Sequence, residues 1–284
     1  MTQILSIQSA VAYGFAGNSA AVFPLRRMGV DVWPVLTVNF SNHTGYGSTR
    51  GPLISAHDIF EVVTGVDERG VLTNTDAVLT GYLGSQEVGD TMLKAVALTK
   101  ERNPEAVYCC DPVMGDVGRG FFVREGIPEF LRDHVVSSTD IMTPNLFELE
   151  YLTGIKTSTI DEVIDAAHAL RAMGPETILV TSVVAEGAEA DVMRMLVVNG
   201  DGVWQVETPV IDRLFVGSGD LTAAMFLAHL LIDRDPGVAL GATASVVYSI
   251  LKATDDLGMA ELALVQAQES IVNPAHVFTA TQLR

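Results

Sequence analysis

The four residues Gly217-Ser218-Gly219-Asp220 run directly into the apolar stretch of residues 221–231. Two glycines let the backbone take positive φ and leave no Cβ in the way, so successive N–H groups can converge on one oxyanion. The stretch LTAAMFLAHLL is rich in helix formers and apolar almost all round. It predicts a buried helix whose unpaired N–H groups and positive dipole end strengthen the pull on a phosphate. A carboxylate beside that anion is out of place unless it handles a nearby proton. By itself Asp220 reads equally as a helix N-cap or as a general base.

Further carboxylates bear on that choice. Asp111 and Asp116 bracket the segment DPVMGD, and Glu148 lies in TPNLFELE. Oxygen donors at strand ends near a phosphate site suit Mg²⁺, which keeps several waters and joins protein to nucleotide phosphates. Taken singly, Asp111-Pro112 is a turn and Glu148 a first-turn helix acid. Their occurrence together with Gly217–Asp220 favours the metal and nucleotide. The glycine-rich segment 115–120 reads either as a flap with Arg119 as a mobile charge or as a surface loop. Residues 39–46, NFSNHTGY, form a polar-aromatic loop that closes over a small ligand or packs against a second subunit, with His43 structural rather than a base. No Gly-Lys dipeptide exists, so a P-loop is excluded, and neither HExxH nor paired CxxC offers a zinc site.

The elements that must position these residues alternate. Short apolar runs (QILSIQS, VDVWPVLTV, DAVLTG, AVYCCD, DIMTPN, TILVTS) are separated by helical patterns over residues 19–28, 85–102, 127–136 and 160–173. That order predicts a mostly parallel sheet covered on both faces. VMRMLVVN and GVWQVETPV, joined through Gly200-Asp201, predict an antiparallel hairpin at one end of it. No linker or repeat divides the chain, which points to a single domain over residues 1–284. Polar residues fall where strands should end: Ser9, Gly81-Tyr82, Asp111-Pro112, Thr143-Pro144-Asn145 and Thr181-Ser182. In open α/β sheets such positions line one crevice.

Composition sets the bounds. A net charge of −18 with 17 basic residues excludes nucleic acid and anionic membrane as natural partners. The lysines are Lys94, Lys100, Lys156 and Lys252, so a phosphate site must rely on backbone N–H groups, arginines and metal. Cys109 and Cys110 lie in an apolar run and read as two buried thiols, which fits a reducing cytoplasm. The N-terminus lacks a basic leader, and the apolar run of residues 223–232 is too short to span a bilayer.

The blocks IQSAVAYGFAGNSAAVFPLRRMG, VNFSNHTGYG, LTGYLGS, CDPVMGD, TPNLFELEYLTG, VTS and GSGDLTAA resemble, nearly end to end, the pyridoxal kinases of the ribokinase-like superfamily. GSGD alone marks the superfamily; SNHTGY with LTGYLGS and CDPVMGD marks the pyridoxal kinases. The resemblance implies an α/β fold, a three-layer α/β/α sandwich with a mostly parallel central sheet. It implies a homodimer that transfers the γ-phosphate of ATP to the 5′-hydroxyl of pyridoxal or a related B6 vitamer in vitamin B6 salvage.

By the same resemblance Ser9, Thr44, Gly45 and Tyr82 form the vitamin pocket, Asp220 is the base, and Gly217, Ser218 and Gly219 supply the anion hole. Asp111, Thr143, Asn145 and Glu148 lie at the nucleotide phosphates, with Asp111 and Glu148 holding Mg²⁺, and Thr181 and Ser182 reach phosphate oxygens. Thr208, Pro209, Val210 and Ile211 border the adenine, and Asp116 begins the lid. A monovalent cation beside Thr143 stays open. Ala10 stands where the family often has histidine, and some members carry lysine in place of the Thr181-Ser182 pair. Asp220, near a helix N-terminus, is expected to stay ionised as a weak but well-placed base. The competing readings are a hydroxymethylpyrimidine kinase and a catalytically silent nucleotide or pyridoxal-phosphate carrier.

Overall fold

Runs buried on both faces cannot alternate polar with apolar, and that requirement makes the strands of this chain neighbours in a largely parallel sheet. A computed structural model describes residues 1–184 and 191–284. β1 (Gln3–Val11), α1 (Asn18–Arg27), β2 (Asp31–Phe40), α2 (Ala56–Asp67), β3 (Ala77–Thr80), α3 (Gln86–Arg102) and β4 (Val107–Cys110) come first. A small flap of β5 (Gly115–Asp116) and β6 (Gly120–Phe121) precedes α4 (Ile127–Phe130), β7 (Ile141–Met142), α5 (Leu146–Thr153), α6 (Ile160–Arg171) and β8 (Thr177–Val183). The described chain ends with β9 (Val192–Val198), β10 (Val203–Pro209), α7 (Ser218–Asp233), α8 (Pro236–Asp256) and β11 (Thr281–Gln282).

The main sheet has nine strands in the order β11-β10-β9-β8-β7-β4-β3-β1-β2. Pairing is parallel from β2 to β8 and antiparallel from β8 to β11. The expected hairpin is β9–β10, and the C-terminal β11 extends it. Strand order reverses at β1, with β2 on one side and β3 on the other, so a crevice opens at their carboxyl ends.

Successive strand residues serve opposite cores, as the two-residue period requires. Leu5, Val78, Cys110, Met142 and Ile178 pack with Ile59, Met92, Leu149 and Val163 from α2, α3, α5 and α6. Ile4, Leu79, Cys109, Ile141 and Leu179 pack with Leu25, Phe226 and Leu240 from α1, α7 and α8. This is the three-layer α/β/α sandwich. Cys109 and Cys110 are buried free thiols. α8 is long and apolar enough to cross a membrane, yet 67 % of its most apolar window is buried inside the fold.

Two local outcomes differ from expectation. Residues 127–136 are not one regular helix: α4 widens into a five-residue looser turn, Leu131–Val135, and Ile127, Phe130, Leu131, Val135 and Val136 are all buried. α2, α8 and β11 have no counterpart among the segments identified from sequence. α8 is started by Asp235, whose carboxylate accepts the Val238 N–H at 2.9 Å, with Pro236 as its first residue.

The junction of β1, β2 and α1 rests on one side chain. Asn18, buried, donates through Nδ2 to the carbonyls of Ser6, Gln8 and Val35 at 3.3, 3.3 and 3.0 Å, and its Oδ1 accepts the Ser6 hydroxyl at 2.7 Å. Truncation leaves several buried polar groups without partners. Asn18→Ala should therefore lower unfolding free energy by about 2–4 kcal/mol, read from urea melts; a change under about 0.5 kcal/mol would show that the bridge adds nothing.

Candidate active site

Gly217, whose φ of +84° is left-handed, is the N-cap of α7, and Asp220 occupies the first turn. Asp220 is therefore not the N-cap. Gly217 has a second reason to be glycine: a Cβ there would lie 2.1 Å from the Phe15 carbonyl oxygen. Ser218 turns both its N–H and its hydroxyl to the Phe215 carbonyl, at 3.4 and 2.8 Å. The donors best placed for an anion are thus the N–H groups of Gly219 and Asp220 in the first turn. A Cβ on Gly17 would strike the Ser9 carbonyl and hydroxyl at 2.3 and 2.4 Å, and the Gly17 N–H favours the ionised form of the Asp220 carboxylate. Ser9, Gly17 and Asp220 form one contiguous unit.

Three carboxylates share the crevice without a lysine. Burial pushes Asp220 up to about 6, opposed by the Gly17 N–H. It is a stronger base than the expected low carboxylate, because burial outweighs the helix terminus. Burial, then the charges of Glu148 and Asp220, push Asp111 well above the usual carboxylate range. Burial also pushes Glu148 up to about 7, although backbone N–H groups of Asn145, Met114 and Gly115 favour its ionised form. Glu148 completes a capping box with Asn145 at the start of α5, and its other oxygen accepts the Met114 N–H at 2.9 Å. Its helix-acid role and its placement in the crevice coexist.

Two cavities meet here. The smaller, about 400 Å³, is lined by Ser9, Thr44, Gly45, Tyr82, Asp111 and Asp220. The larger, about 740 Å³, carries Thr208, Pro209 and Ile211 with Met195, Tyr248 and Leu251. Asp116, Asn145, Thr181, Ser182, Ser218 and Gly219 line both, whereas Thr143, Glu148 and Gly217 line the smaller alone. Val210 lines neither: it turns its N–H to the Asp191 carbonyl at 2.8 Å. No lysine lines either cavity among the described residues.

Backbone irregularities aim several of these groups. Ser9 faces the register shift between β1 and β2, and the β8–β9 ladder shifts across Thr181 and Ser182. Ser182 has φ +54°, rare for a residue with a side chain and a feature that collects at functional sites. Asn145 holds the flap, donating from Nδ2 to the Gly115 carbonyl at 2.9 Å. Phe121 of the flap meets Phe147 and Tyr151 edge-on at 5.0 and 5.1 Å between centroids. Arg119 lies over Phe122 and lines the smaller cavity.

Sequence reasoning passed over Glu261, in LGMAELALV, where no motif or spacing marks it. It accepts the Phe15 N–H at 3.0 Å, the Tyr46 hydroxyl at 2.6 Å, and a hydrogen bond from His43 Nε2 at 3.1 Å. The apolar wall of the larger cavity was equally silent, since Met195, Tyr248 and Leu251 look like core residues.

Hard oxygen donors with raised proton affinity suit a small dication. Asp111 and Glu148 fit that description, and Thr143 Oγ1 is buried without a hydrogen-bond partner among the described residues. Among the described residues no three His, Cys, Asp or Glu side chains gather to cage a metal. That donor set fits Mg²⁺, which takes its remaining oxygens from phosphates and water.

A phosphomethylpyrimidine kinase family model matches residues 70–264. The chain is 52 % identical over 272 residues to pyridoxal kinase PdxY of Rubrobacter xylanophilus, covering 95 % of this chain and 94 % of that protein. It is 51 % identical over 281 residues to pyridoxal kinase PdxY of Leifsonia xyli subsp. xyli, with 99 % of each covered. A solved structure of pyridoxal kinase from Leishmania donovani in complex with ADP and pyridoxine superimposes with a TM-score of 0.91 at 29 % identity, over 99 % of both chains.

The carboxylate at Asp220 opposes folding at neutral pH. Its folded value of about 6 exceeds its ordinary 3.8, so the fold favours the protonated form; the deficit is full above pH 6 and fades as pH falls toward 4. Asp220→Asn should raise stability at pH 8 by on the order of 2–3 kcal/mol, and by less at pH 4.5. Thermal melts at both pH values check this, and a lower midpoint at pH 8 would contradict it.

Proposed function

The chain belongs to the pyridoxal kinases of the phosphomethylpyrimidine kinase family, and from that premise we propose how it phosphorylates the 5′-hydroxyl of pyridoxal with ATP. The observation that carries the reading is the position of the α7 N-terminus. Gly219 lines both cavities while Asp220 lines only the smaller, so the anion site lies between a nucleotide side and a carboxylate on the acceptor side.

The nucleotide occupies the larger cavity, its base against Thr208, Pro209 and Ile211, and its phosphates run past Thr181, Ser182 and Asn145 toward Gly219. Asp111 and Glu148 hold Mg²⁺, which neutralises charge on the phosphate oxygens when bound. The vitamin lies in the smaller cavity between Ser9, Thr44, Gly45 and Tyr82, with its alcohol at Asp220. Asp220 takes the hydroxyl proton as the alcohol oxygen attacks the γ-phosphorus; the bond to the β,γ-bridging oxygen breaks and ADP leaves. The N–H groups of Gly219 and Asp220 stabilise charge on the equatorial oxygens without reorganising. The flap from Asp116 to Phe121, with Arg119, covers the phosphates and excludes water.

Residues 1–284 work as one kinase domain in the cytoplasm and pair as a homodimer. The continuous nine-stranded main sheet supports the first, and the exposed aromatic Tyr13 near the loop of Tyr46 supports a subunit contact there. A monovalent cation assists beside Thr143, whose orphaned hydroxyl motivates the assignment. Equal rates in potassium and in tetramethylammonium salts would remove it. Sedimentation velocity should show a dimer, and monomer alone at roughly micromolar concentration, where a standard-size obligate interface holds, would overturn that state.

The deciding assay supplies Mg-ATP with pyridoxal, pyridoxine, pyridoxamine or hydroxymethylpyrimidine and identifies products by mass. Pyridoxal should be phosphorylated best; preference for the pyrimidine would favour a hydroxymethylpyrimidine kinase, and binding without turnover a silent carrier. Asp220→Asn should lower kcat by roughly 10²–10⁴ with the fold intact. In the wild type, kcat should fall on the acid side of about pH 6, where Asp220 gains its proton; a flat acid limb would remove Asp220 as base.

A further inference from the structure

Glu261 lies outside both cavities, so it touches neither ligand. Its side chain is only 9 % exposed, and among the described residues it has no arginine or lysine partner. A buried carboxylate without a cation is costly, and packing alone would be met by an apolar residue. The carboxylate is instead saturated with donors from two separate segments: Phe15 N–H on one side, Tyr46 hydroxyl and His43 Nε2–H on the other. The bond from Tyr46, with burial and the charge of Glu261, raises the phenol above its ordinary range. Gly14 makes the approach possible, since a Cβ there would lie 2.2 Å from Glu261 Oε2.

Each segment continues into the site. His43 precedes Thr44 and Gly45 on the wall of the smaller cavity. Phe15 packs its carbonyl against Gly217, the N-cap of the helix that carries Asp220, and two residues on the Gly17 N–H favours the ionised form of Asp220. We propose that Glu261 is a positioning residue that ties the acceptor-side loop to the segment holding the base, so that seating the vitamin and placing Asp220 depend on one carboxylate. This rests on the kinase reading given above. A glutamine cannot replace it fully, because one oxygen and one NH₂ cannot accept from donors on both sides at once.

The test uses the full-length wild type, Glu261→Gln, Tyr46→Phe and the double variant, with kcat, KM for pyridoxal, KM for ATP and melting temperature measured on each. For Glu261→Gln, kcat/KM for pyridoxal should fall roughly ten- to hundredfold, as expected for a charge-assisted hydrogen bond, with KM for ATP changed by under about twofold. Tyr46→Phe should show a smaller loss of the same selectivity. The double variant should be no worse than Glu261→Gln alone, because both changes break one network. Equal rises in both KM values, additive losses, or a lowered melting temperature with unchanged kinetics would overturn the assignment. If Glu261→Gln does not fold, Tyr46→Phe decides alone, and unchanged pyridoxal kinetics sink the proposal. A wild type that does not phosphorylate pyridoxal would refute the activity itself, whereas an active wild type matched by Glu261→Gln would refute only the role of Glu261.

Discussion

Like charges gathered in a low-dielectric crevice repel, and the architecture around Asp111, Glu148 and Asp220 follows from that constraint. Backbone N–H groups are the principal counterweight the chain itself supplies. Gly17 serves Asp220, while Met114, Gly115 and Asn145 serve Glu148. Such donors carry no net charge, so they hold the carboxylates without cancelling them. The residual negative field suits a hard dication that takes its remaining oxygens from phosphates and water.

Glycine placement is the geometric counterpart of that electrostatic arrangement. Gly17 and Gly217 are not simply flexible: each lets one backbone lie where a side chain would collide with another strand of the site. The N-terminus of α1 is thereby brought against Ser9 of β1, and that of α7 against Phe15 in the segment between β1 and α1. Parallel pairing does the rest, because it sends the carboxyl ends of β1, β3, β4, β7 and β8 to one edge of the sheet. In the antiparallel extension β10 runs the same way as β8, so its carboxyl end brings Thr208 and Pro209 to that edge as a wall of the larger cavity.

Legibility from sequence divided along the same line. The parallel sheet could be read because β-branched runs and glycine-rich turns are local signals, and the turn before α7 could be read from four residues as the start of a buried helix. Residues at strand ends such as Ser9 and Thr181 could be placed in one cleft by topology alone. The state of Asp220 could not, because its proton affinity depends on burial by elements far away in the chain. Glu261 was invisible for a related reason: it meets Phe15 across 246 positions, and an acidic residue in an apolar stretch carries no local sign of its partners. The irregular turn after α4 likewise reflects side chains reaching one core rather than any breaker in the sequence.

The missing lysines have a further consequence in the reactivity of the cargo. Pyridoxal and its phosphate are aldehydes, and an aldehyde held beside a primary amine condenses to a Schiff base. Among the described residues both cavities are lined by hydroxyls, carboxylates, amides and an imidazole, but by no ε-amine. A crevice without lysine offers an aldehyde no primary amine with which to condense.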